Sequence, residues 1–247
     1  MAQYQYDSAF FRYTTASNDH SAKTVAELVG GWLRPASVVD FGCAQGAWLA
    51  AWQQAGVATV QGVDGDYVDR KSLRIAADAF VARDLAQPID LKRRFDVAMS
   101  VEVAEHLAAA VAAPFVATLC QHADIVLFSA APPGQGGEHH LNEQPYGYWR
   151  DLFAAQGYGC FDAIRPQLVD DSKIQPWYRY NLFLYANPAG VLRLPGPVAA
   201  LRIPPGTTVP DISPLPYQLR KALVRTLPPA LADHLARAKA RLASFGR

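Results

Sequence analysis

The chain has 247 residues, of which 51% are apolar, so it has the length of one ordinary domain and enough apolar side chains for a sizeable core. Its formal net charge of +1 excludes a general electrostatic attraction to nucleic acid. The charge is unevenly divided, because residues 190–247 contain nine Lys and Arg against two Asp, whereas residues 1–189 contain fourteen against twenty acidic residues. We therefore expect a mildly acidic domain followed by a basic tail.

Cysteine usage and hydropathy predict a cytoplasmic protein without a membrane span. Cys43, Cys120 and Cys160 show no C-x-x-C spacing, which is typical of reduced proteins. The first residues lack the basic segment and apolar core of a signal peptide. The longest apolar run, 107–120, is interrupted by Pro114 and is too short to cross a bilayer.

The N-terminal region contains an aromatic segment that is followed along the chain by a predicted helix. Residues 4–13 are rich in Tyr and Phe, and residues 21–34 repeat apolar side chains with a period near that of an α-helix. The aromatic segment is predicted either to form a lid over a ligand or to pack at the edge of a sheet.

A short β-branched strand at 38–41 stops at a glycine-rich turn, and a helix is predicted over 47–55. Gly42 and Gly46 let the backbone turn sharply and approach a ligand closely. The helix N-terminus then presents unpaired N–H groups to an anionic or carboxylate-bearing group. The turn lacks the dinucleotide spacing G-x-G-x-x-G, since Ala44 stands at the second glycine position. Strand, glycine-rich turn and helix together form the nucleotide-side half of a doubly wound α/β fold.

An acidic residue after the second strand is a candidate for binding a nucleoside. Asp64 follows the glycine turn by about 20 positions, where a carboxylate suits the two hydroxyls of a ribose. Asp66 is the rival for this role, and either side chain could instead cap a helix over 67–75.

The alternation of strands and helices in the first 130 residues predicts a parallel sheet. We expect the α/β class, as a three-layer Rossmann-like sandwich with a seven-stranded, mostly parallel sheet and an antiparallel last strand. The strands are predicted at 38–41, 59–63, 80–82, 95–101, 124–129, 159–163 and 178–186, and the later helices at 114–122 and 147–156.

Two carboxylates and an imidazole follow the fourth strand. Glu102, Glu105 and His106 stand at i, i+3 and i+4, so a helix places them on one face above the C-terminal edge of the sheet, where ligands bind in open α/β folds. His139 and His140 lie on the loop after the fifth strand, which leaves the same edge. Such groups can move a proton or hold a divalent cation.

The pattern D-x-G-x-A-x-G over residues 40–46 resembles motif I of the class I, Rossmann-like S-adenosylmethionine-dependent methyltransferases, with Ala44 in place of the middle glycine. The resemblance implies S-adenosylmethionine as the cofactor. It also implies that Asp84 bonds the adenine amino group and that Leu85 packs on the ring, although Asp84 could instead cap its own turn. The residues implied to bind the cofactor are Asp40, Gly42, Cys43, Ala44, Gly46, Asp64, Asp84, Leu85 and Glu102.

The pattern E-x-x-E-H over 102–106, with a distal histidine, resembles the ubiquinone-pathway O-methyltransferases and the small-RNA 2′-O-methyltransferases, in which such a set holds a divalent cation. This resemblance implies that Glu102, Glu105, His106 and His140 bind Mg²⁺ or Mn²⁺. The same pattern also occurs in related methyltransferases without a metal, in which case His140, His139 or His106 is the expected acid or base.

The loop 136–149, the aromatic N-terminus and the segment 177–181 resemble bacterial methyltransferases of surface-polysaccharide pathways. This resemblance covers about residues 4–187 and implies O-methylation of a hydroxyl on a sugar, a glycan precursor or a small metabolite. The alternatives are a natural-product N- or O-methyltransferase, and a cofactor-binding partner subunit without turnover. The acidic core argues against RNA as the acceptor.

The composition changes at the end of this region, and we expect a methyltransferase domain at 1–187 and an appended arm at 188–247. Ten prolines fall between 188 and 229, and the segment 217–245 is basic and amphipathic. That segment is predicted to pack on the domain or on a second copy in a homodimer, with weak contact to a membrane surface as the alternative. Because every cofactor motif precedes it, the arm is expected to be dispensable for cofactor binding.

Overall fold

A computed structural model of the chain describes residues 8–228, 231, 234–236 and 238, with side chains from residue 18 onward. Residues 4–7 of the aromatic segment and the end of the predicted C-terminal helix lie outside the described residues. Residues 8–13 belong to the first helix, which begins well before the predicted start at residue 21, and the lid role of the aromatic side chains stays a prediction.

An eight-stranded sheet organises the structure. Its strands are β1 (Ser37–Phe41), β2 (Thr59–Asp64), β3 (Phe80–Ala82), β4 (Val97–Val101), β5 (Ile125–Ser129), β6 (Gly159–Phe161), β7 (Phe183–Ala186) and β8 (Arg202–Ile203). Their order across the sheet is β3-β2-β1-β4-β5-β7-β6-β8. The pairs from β3 to β5 are parallel, and β7, β6 and β8 continue the sheet in antiparallel pairs. The predicted Rossmann-like class and its antiparallel end are confirmed, but the predicted number of seven strands is one too few.

The helices connect the strands and cover both faces of the sheet. They are α1 (Ser8–Leu33), α2 (Ala47–Gln54), α3 (Ala112–His122), α4 (Tyr146–Ala155), α5 (Arg165–Leu168), α6 (Pro176–Asn181), α7 (Pro188–Val191), α8 (Gly196–Ala199) and α9 (Leu215–Val224). Short 3₁₀ turns lie at Arg70–Ser72, Ala77–Ala79, Ala104–His106 and Ala109–Val111.

Two further predicted elements differ from the structure. The helix expected over 67–75 is reduced to the single 3₁₀ turn at 70–72. The strand expected over 178–186 begins only at Phe183, because α6 occupies its first half. Pro176, whose fixed φ suits the first turn of a helix, starts α6 despite the β-forming aromatic residues that follow it.

Alternate residues of the central strands enter two separate apolar layers. Val38 and Val97 pack in the layer under α1 and α2, whereas Val39 and Ala98 pack in the layer under α3 and α4. This follows from the strand pleat, which directs successive side chains to opposite faces. The sheet is therefore buried on both sides, as the three-layer prediction requires.

The Pro-rich segment after residue 187 packs on the domain. It supplies β8, which pairs with β6 at the edge of the sheet. The fully buried guanidinium of Arg165 donates to the Pro210 carbonyl at 3.0 Å, and buried Lys221 forms an ion pair with Asp211. The boundary between 187 and 188 stays a prediction, but the arm and the domain share one sheet.

None of the described helices combines the length and the apolarity needed to cross a membrane. The three cysteines are buried and unpaired.

Candidate cofactor and active site

The glycine turn after β1 is shaped by three residues in the left-handed region. Gly42, Ala44 and Gly46 have φ values of 96°, 46° and 79°. The Gly42 N–H donates to the Val63 carbonyl at 2.8 Å, which ties the turn to the end of β2. A Cβ at Gly42 would overlap the side chain of Val103. Glycine is therefore required at this position for lack of space as well as for its left-handed backbone conformation.

Ala44, the departure from the family motif, adopts the backbone conformation that the middle glycine would supply. Its N–H donates to Asp64 Oδ2 at 2.7 Å, which holds the turn in place. Alanine in this region is strained by about 1–2 kcal/mol, and the bond to a buried carboxylate helps to offset that strain. The substitution therefore keeps the path of the turn.

Asp64 joins the turn to the following loop. Besides the Ala44 N–H, it accepts from the Gly65 N–H at 2.7 Å and from the Tyr67 hydroxyl at 2.5 Å. A carboxylate offers about four acceptor positions, so one remains for a ribose hydroxyl beside these three bonds. The rival, Asp66, has a side chain that is 91% exposed.

Burial sets the acidity of both acidic residues beside the turn. Burial raises the pKa of Asp64, although its three hydrogen bonds oppose the rise. For Asp40, burial raises the pKa well above its usual range, and repulsion from Asp64 adds to it. Two carboxylates destabilised in this way favour a cationic ligand.

Asp84 and Leu85 follow β3, at the edge predicted for adenine. Asp84 is exposed, and its Oδ1 accepts from the Ala86 N–H at 2.9 Å. This bond caps the turn, which is the alternative role considered for Asp84. Leu85 is buried in the apolar layer under α3. Contact of either residue with adenine stays a prediction.

Glu102 follows β4 and lies in a network of amides. Its φ of 55° is left-handed, a conformation that is uncommon for a non-glycine residue and frequent at functional sites. Its carboxylate accepts from Gln135 Nε2 at 2.6 Å and from Asn181 Nδ2 at 3.2 Å. Asn181 also accepts from the Tyr146 hydroxyl at 2.8 Å. Gln135 and Asn181 are site residues that the sequence patterns did not indicate, because an isolated amide carries no recognisable spacing.

Glu105, His106 and His140 form one compact group. One ligand atom from each lies within 4.8 Å of the others. The rings of His106 and His140 meet edge to face, with centroids 4.9 Å apart. The N–H groups of Leu141 and Asn142 both donate to the Glu105 carbonyl, at 2.8 and 2.9 Å, and these bonds bring the histidine loop to the group.

This arrangement corrects two sequence-based expectations. Residues 104–106 form a 3₁₀ turn and not the α-helix that would align 102, 105 and 106 on one face. Of the four predicted metal ligands, the group contains Glu105, His106 and His140, whereas the Glu102 carboxylate is held by the amides.

Burial makes this group chemically unusual. Neither carboxylate oxygen of Glu105 accepts a well-aligned hydrogen bond among the described residues, although the nearby backbone N–H groups of Glu105 and Ala131 act to lower its pKa. Burial raises the pKa of Glu105 well above its usual range, and repulsion from Glu102 adds to the rise. Burial and the neighbouring His140 lower the pKa of His106 to about 3, so its imidazole is neutral at physiological pH.

Both imidazoles of the group are oriented by an acceptor. His106 Nδ1 lies 3.2 Å from the His139 carbonyl, and His140 Nδ1 lies 2.7 Å from Glu143 Oε1. Although burial raises the pKa of Glu143, its bonds with His140 and with two backbone N–H groups outweigh that effect and lower the pKa overall. Because a carbonyl and an ionised carboxylate can only accept, these contacts place a proton on Nδ1 of each ring.

His139 enters the site through its backbone. Its carbonyl orients His106 and its φ is 59°, but its ring is not part of the 4.8 Å group. Gly137 lies so close to His140 that a Cβ there would overlap the ring. The sequence patterns indicated neither this steric role of Gly137 nor the orienting role of Glu143.

A family model described as a methyltransferase domain matches residues 17–160, which is more than half of the chain. The chain belongs to this methyltransferase family. The prediction of a Rossmann-like S-adenosylmethionine-dependent methyltransferase is thereby confirmed at the level of the family. A comparison of the methyltransferase with curated proteins found no match.

Solved structures similar to this methyltransferase share its fold. An O-methyltransferase family protein from Burkholderia thailandensis is 14% identical with a TM-score of 0.56, and the match covers 70% of this chain and 57% of that protein. The sugar N-methyltransferase KedS8 from Streptoalloteichus sp. ATCC 53650 is 16% identical with a TM-score of 0.57, covering 76% and 95%. CalS10 from Micromonospora echinaspora, an amino pentose methyltransferase solved with S-adenosylmethionine bound, is 15% identical with a TM-score of 0.52, covering 76% and 100%.

The three-residue group of the methyltransferase fits a divalent cation. A buried carboxylate without a hydrogen-bond partner is unfavourable, and a cation would satisfy it. The backbone carbonyl behind His106 and the carboxylate behind His140 orient imidazoles as they do in metal sites. One carboxylate and two imidazoles suit Mn²⁺, Fe²⁺ or Zn²⁺ better than Mg²⁺, which would keep several waters.

Proposed function

We propose that this chain is an active S-adenosylmethionine-dependent methyltransferase that methylates a hydroxyl of a sugar, a glycan precursor or a small metabolite. One observation carries the proposal. Val103 packs against Gly42 of the glycine turn, and the two residues that meet His140 follow within three positions, at Glu105 and His106. A group able to activate an acceptor therefore lies beside the turn proposed to hold the cofactor.

The cofactor is proposed to lie over Gly42 and Gly46, with its ribose on Asp64 and its adenine between Asp84 and Leu85. The buried carboxylates of Asp40 and Asp64 support this placement, because S-adenosylmethionine carries a cationic amine and a cationic sulfonium. Cys43 and Ala44 contribute the backbone of the turn.

Methyl transfer from a sulfonium needs an acceptor oxygen that has given up its proton. The acceptor O–H bond breaks, the oxygen attacks the methyl carbon in line, and the sulfonium leaves as a neutral thioether. His140 is proposed as the base, because Glu143 holds its Nδ1–H, so that Nε2, which packs beside Gly137, is the ring nitrogen that can take the proton. Neutral His106 is the second imidazole within reach.

A metal-assisted form of the same reaction is favoured by the unpartnered carboxylate of Glu105. In that form, Glu105, His106 and His140 would hold the cation. A bound cation would lower the pKa of an acceptor hydroxyl and orient it.

The acceptor class is proposed from the residues that follow His140 along the loop and the start of α4. Asn142, Gln144 and Tyr148 follow His140 and offer amides and an aromatic ring, which suit the hydroxyls and flat faces of a sugar. A natural-product N- or O-methyltransferase would share this site. A partner subunit without turnover would keep the cofactor turn but would not need the oriented histidines.

The proposal is tested by incubating the full chain with S-adenosylmethionine and a panel of sugars, nucleotide sugars and hydroxylated metabolites, and measuring the mass gain of one methyl group. With an acceptor in hand, His140→Ala should lose about 10²- to 10⁴-fold in rate while keeping its affinity for S-adenosylhomocysteine. His139→Ala is the matched control, and it should keep most of the activity because His139 acts through its carbonyl.

EDTA decides between the two forms. Abolished activity that Mn²⁺ or Mg²⁺ restores supports the metal-assisted form, and full activity of metal-free protein supports the base alone. Equal activity of His140→Ala and wild type would contradict both forms.

A further inference from the structure

Helix α9 packs on the domain through a face that contains a buried lysine. Lys221 is only 2% exposed and forms an ion pair with Asp211, and the ring of Tyr217 lies 5.6 Å from that of Tyr180. A surface helix normally buries its apolar stripe and exposes its charges. In α9 the inward face contains a buried lysine beside Tyr217 and Val224, and the exposed side is the apolar one.

The leucines of α9 consequently face outward. Leu215, Leu219 and Leu223 are 66%, 62% and 67% exposed. Their spacing of four residues places them within a stripe of roughly 80° on one side of the helix. Leu231 and Leu235 continue the spacing beyond the helix and are also exposed. Single exposed leucines are ordinary, but a contiguous row marks an interaction surface.

Two arginines border this leucine row. Helical geometry places Arg220 and Arg225 roughly 60° and 80° beyond its two edges, toward the domain, and both residues are exposed. Arg220 donates to the Gln135 carbonyl at 2.9 Å, and Arg225 donates to the Pro133 carbonyl at 2.7 Å. Each of these bonds uses one of the five N–H donors of a guanidinium, so the others can reach an anion.

We propose that the leucine row of α9 docks on the surface of an anionic lipid membrane. The leucines would enter the boundary between headgroups and acyl chains, and Arg220 and Arg225 would bind lipid phosphates at that level. Ten residues of helix lie in the plane of the surface and do not span the bilayer.

Charge decides between a membrane and a second copy of the chain. Residues 190–247 contain nine basic residues against two acidic ones. Two copies meeting across their leucine rows would bring these basic tails together, which is unfavourable. An anionic membrane attracts the same charges when Lys and Arg lie near its surface.

Docking would also act on the active-site loop. The carbonyls that Arg220 and Arg225 hold belong to the loop that carries Gln135 and His140. The membrane surface would therefore lie beside the loop that carries the proposed base, His140. The docking inference itself does not depend on the proposed reaction.

The test is flotation of the full chain with two kinds of vesicle, phosphatidylcholine alone and phosphatidylcholine with about one third phosphatidylglycerol. The wild type should float with the anionic vesicles, and high salt should weaken the binding because part of it is electrostatic. Leu219→Ser/Leu223→Ser should lower the partition coefficient by at least about tenfold.

Leu192→Ser/Leu201→Ser is the matched control, since it removes two exposed leucines that lie outside α9. It should bind vesicles like the wild type, and both variants should keep their affinity for S-adenosylhomocysteine, which shows that they are folded. Absence of the wild type from anionic vesicles would overturn the proposal, and so would undiminished binding of the α9 variant. A dimer in sedimentation velocity that the α9 variant dissociates, without vesicle binding, would instead assign the leucine row to a second copy.

Discussion

At the scale of single residues, buried carboxylates determine the chemistry of the site. Burial raises the pKa of Asp40, Asp64, Glu102 and Glu105. Ionised carboxylates in such places are unfavourable unless positive charge accompanies them. Bound S-adenosylmethionine would supply that charge beside Asp40 and Asp64, and a divalent cation would supply it beside Glu105.

Asp64 is the residue whose loss should weaken cofactor binding most directly. Asp64→Ala should reduce affinity for S-adenosylhomocysteine by about 1.5–3 kcal/mol, the range for hydrogen bonds to a charged group. Isothermal titration calorimetry measures the change. Asp66→Ala removes an equal carboxylate from an exposed side chain two positions away and should bind like the wild type. Weaker binding by Asp66→Ala, with Asp64→Ala binding like the wild type, would assign ribose binding to Asp66.

His106 should remain neutral over the whole physiological range. Because burial lowers its pKa to about 3, its ring resonances in NMR spectra of chelator-treated protein should not titrate between about pH 5 and 8. The unfolded chain binds this proton near the usual pKa of about 6.5. Between these two pKa values the unfolded state holds more protons, so acidification lowers the free energy of unfolding. His106→Gln identifies the resonances, and a midpoint near 6.5 would show that the ring is solvated.

At the scale of elements, the glycine turn and the strands that lead into it were predictable from sequence. Each of the strands β1, β2 and β3 contains β-branched or aromatic residues and is closely followed by glycine or an acidic residue. Such local patterns predict these strands correctly. The two-residue β8 could not be predicted, because its pairing depends on β6, some 40 positions earlier. The turn at 104–106 was misjudged because three-dimensional contacts to the histidine loop, and not helical periodicity, determine its shape.

The glycine turn offers a comparison of two substitutions with the same backbone strain. Gly42 and Gly56 both have a φ of 96°, but a Cβ at Gly42 would overlap Val103, whereas nothing lies within 4 Å of a Cβ at Gly56. Gly56→Ala should destabilise the fold by about 1–2 kcal/mol from strain alone. Gly42→Ala should destabilise it by about 1–3 kcal/mol more, because the core must also move. Urea denaturation measures both, and equal effects would show that Val103 does not confine the turn.

At the scale of the whole molecule, the acceptor side of the site is assembled from distant parts of the chain. Gln135 meets Glu102 and Asn181 across separations of 33 and 46 residues, and Arg220 reaches the Gln135 carbonyl across 85. The sequence predicted which histidines approach the sheet edge, because that follows from strand order. It did not predict the amide network or the contact with α9, since neither has a local pattern.

The length of the tail that the methyltransferase needs can be measured by truncation. The sequence predicted that the arm would be dispensable for cofactor binding, but the structure shows that a chain ending at Ala189 would lose β8 and the Pro210 partner of buried Arg165. It would also lose the Thr207 carbonyl to which buried Arg150 donates. Each bond lost from a buried guanidinium should destabilise the domain by about 1.5–3 kcal/mol. We expect a chain ending at Pro228 to match the full chain in its thermal unfolding midpoint and in its affinity for S-adenosylhomocysteine, and the chain ending at Ala189 to unfold at a lower temperature or to aggregate. If both shortened chains unfold at the same temperature, residues 190–228 are an appendage that rests on the domain without stabilising it.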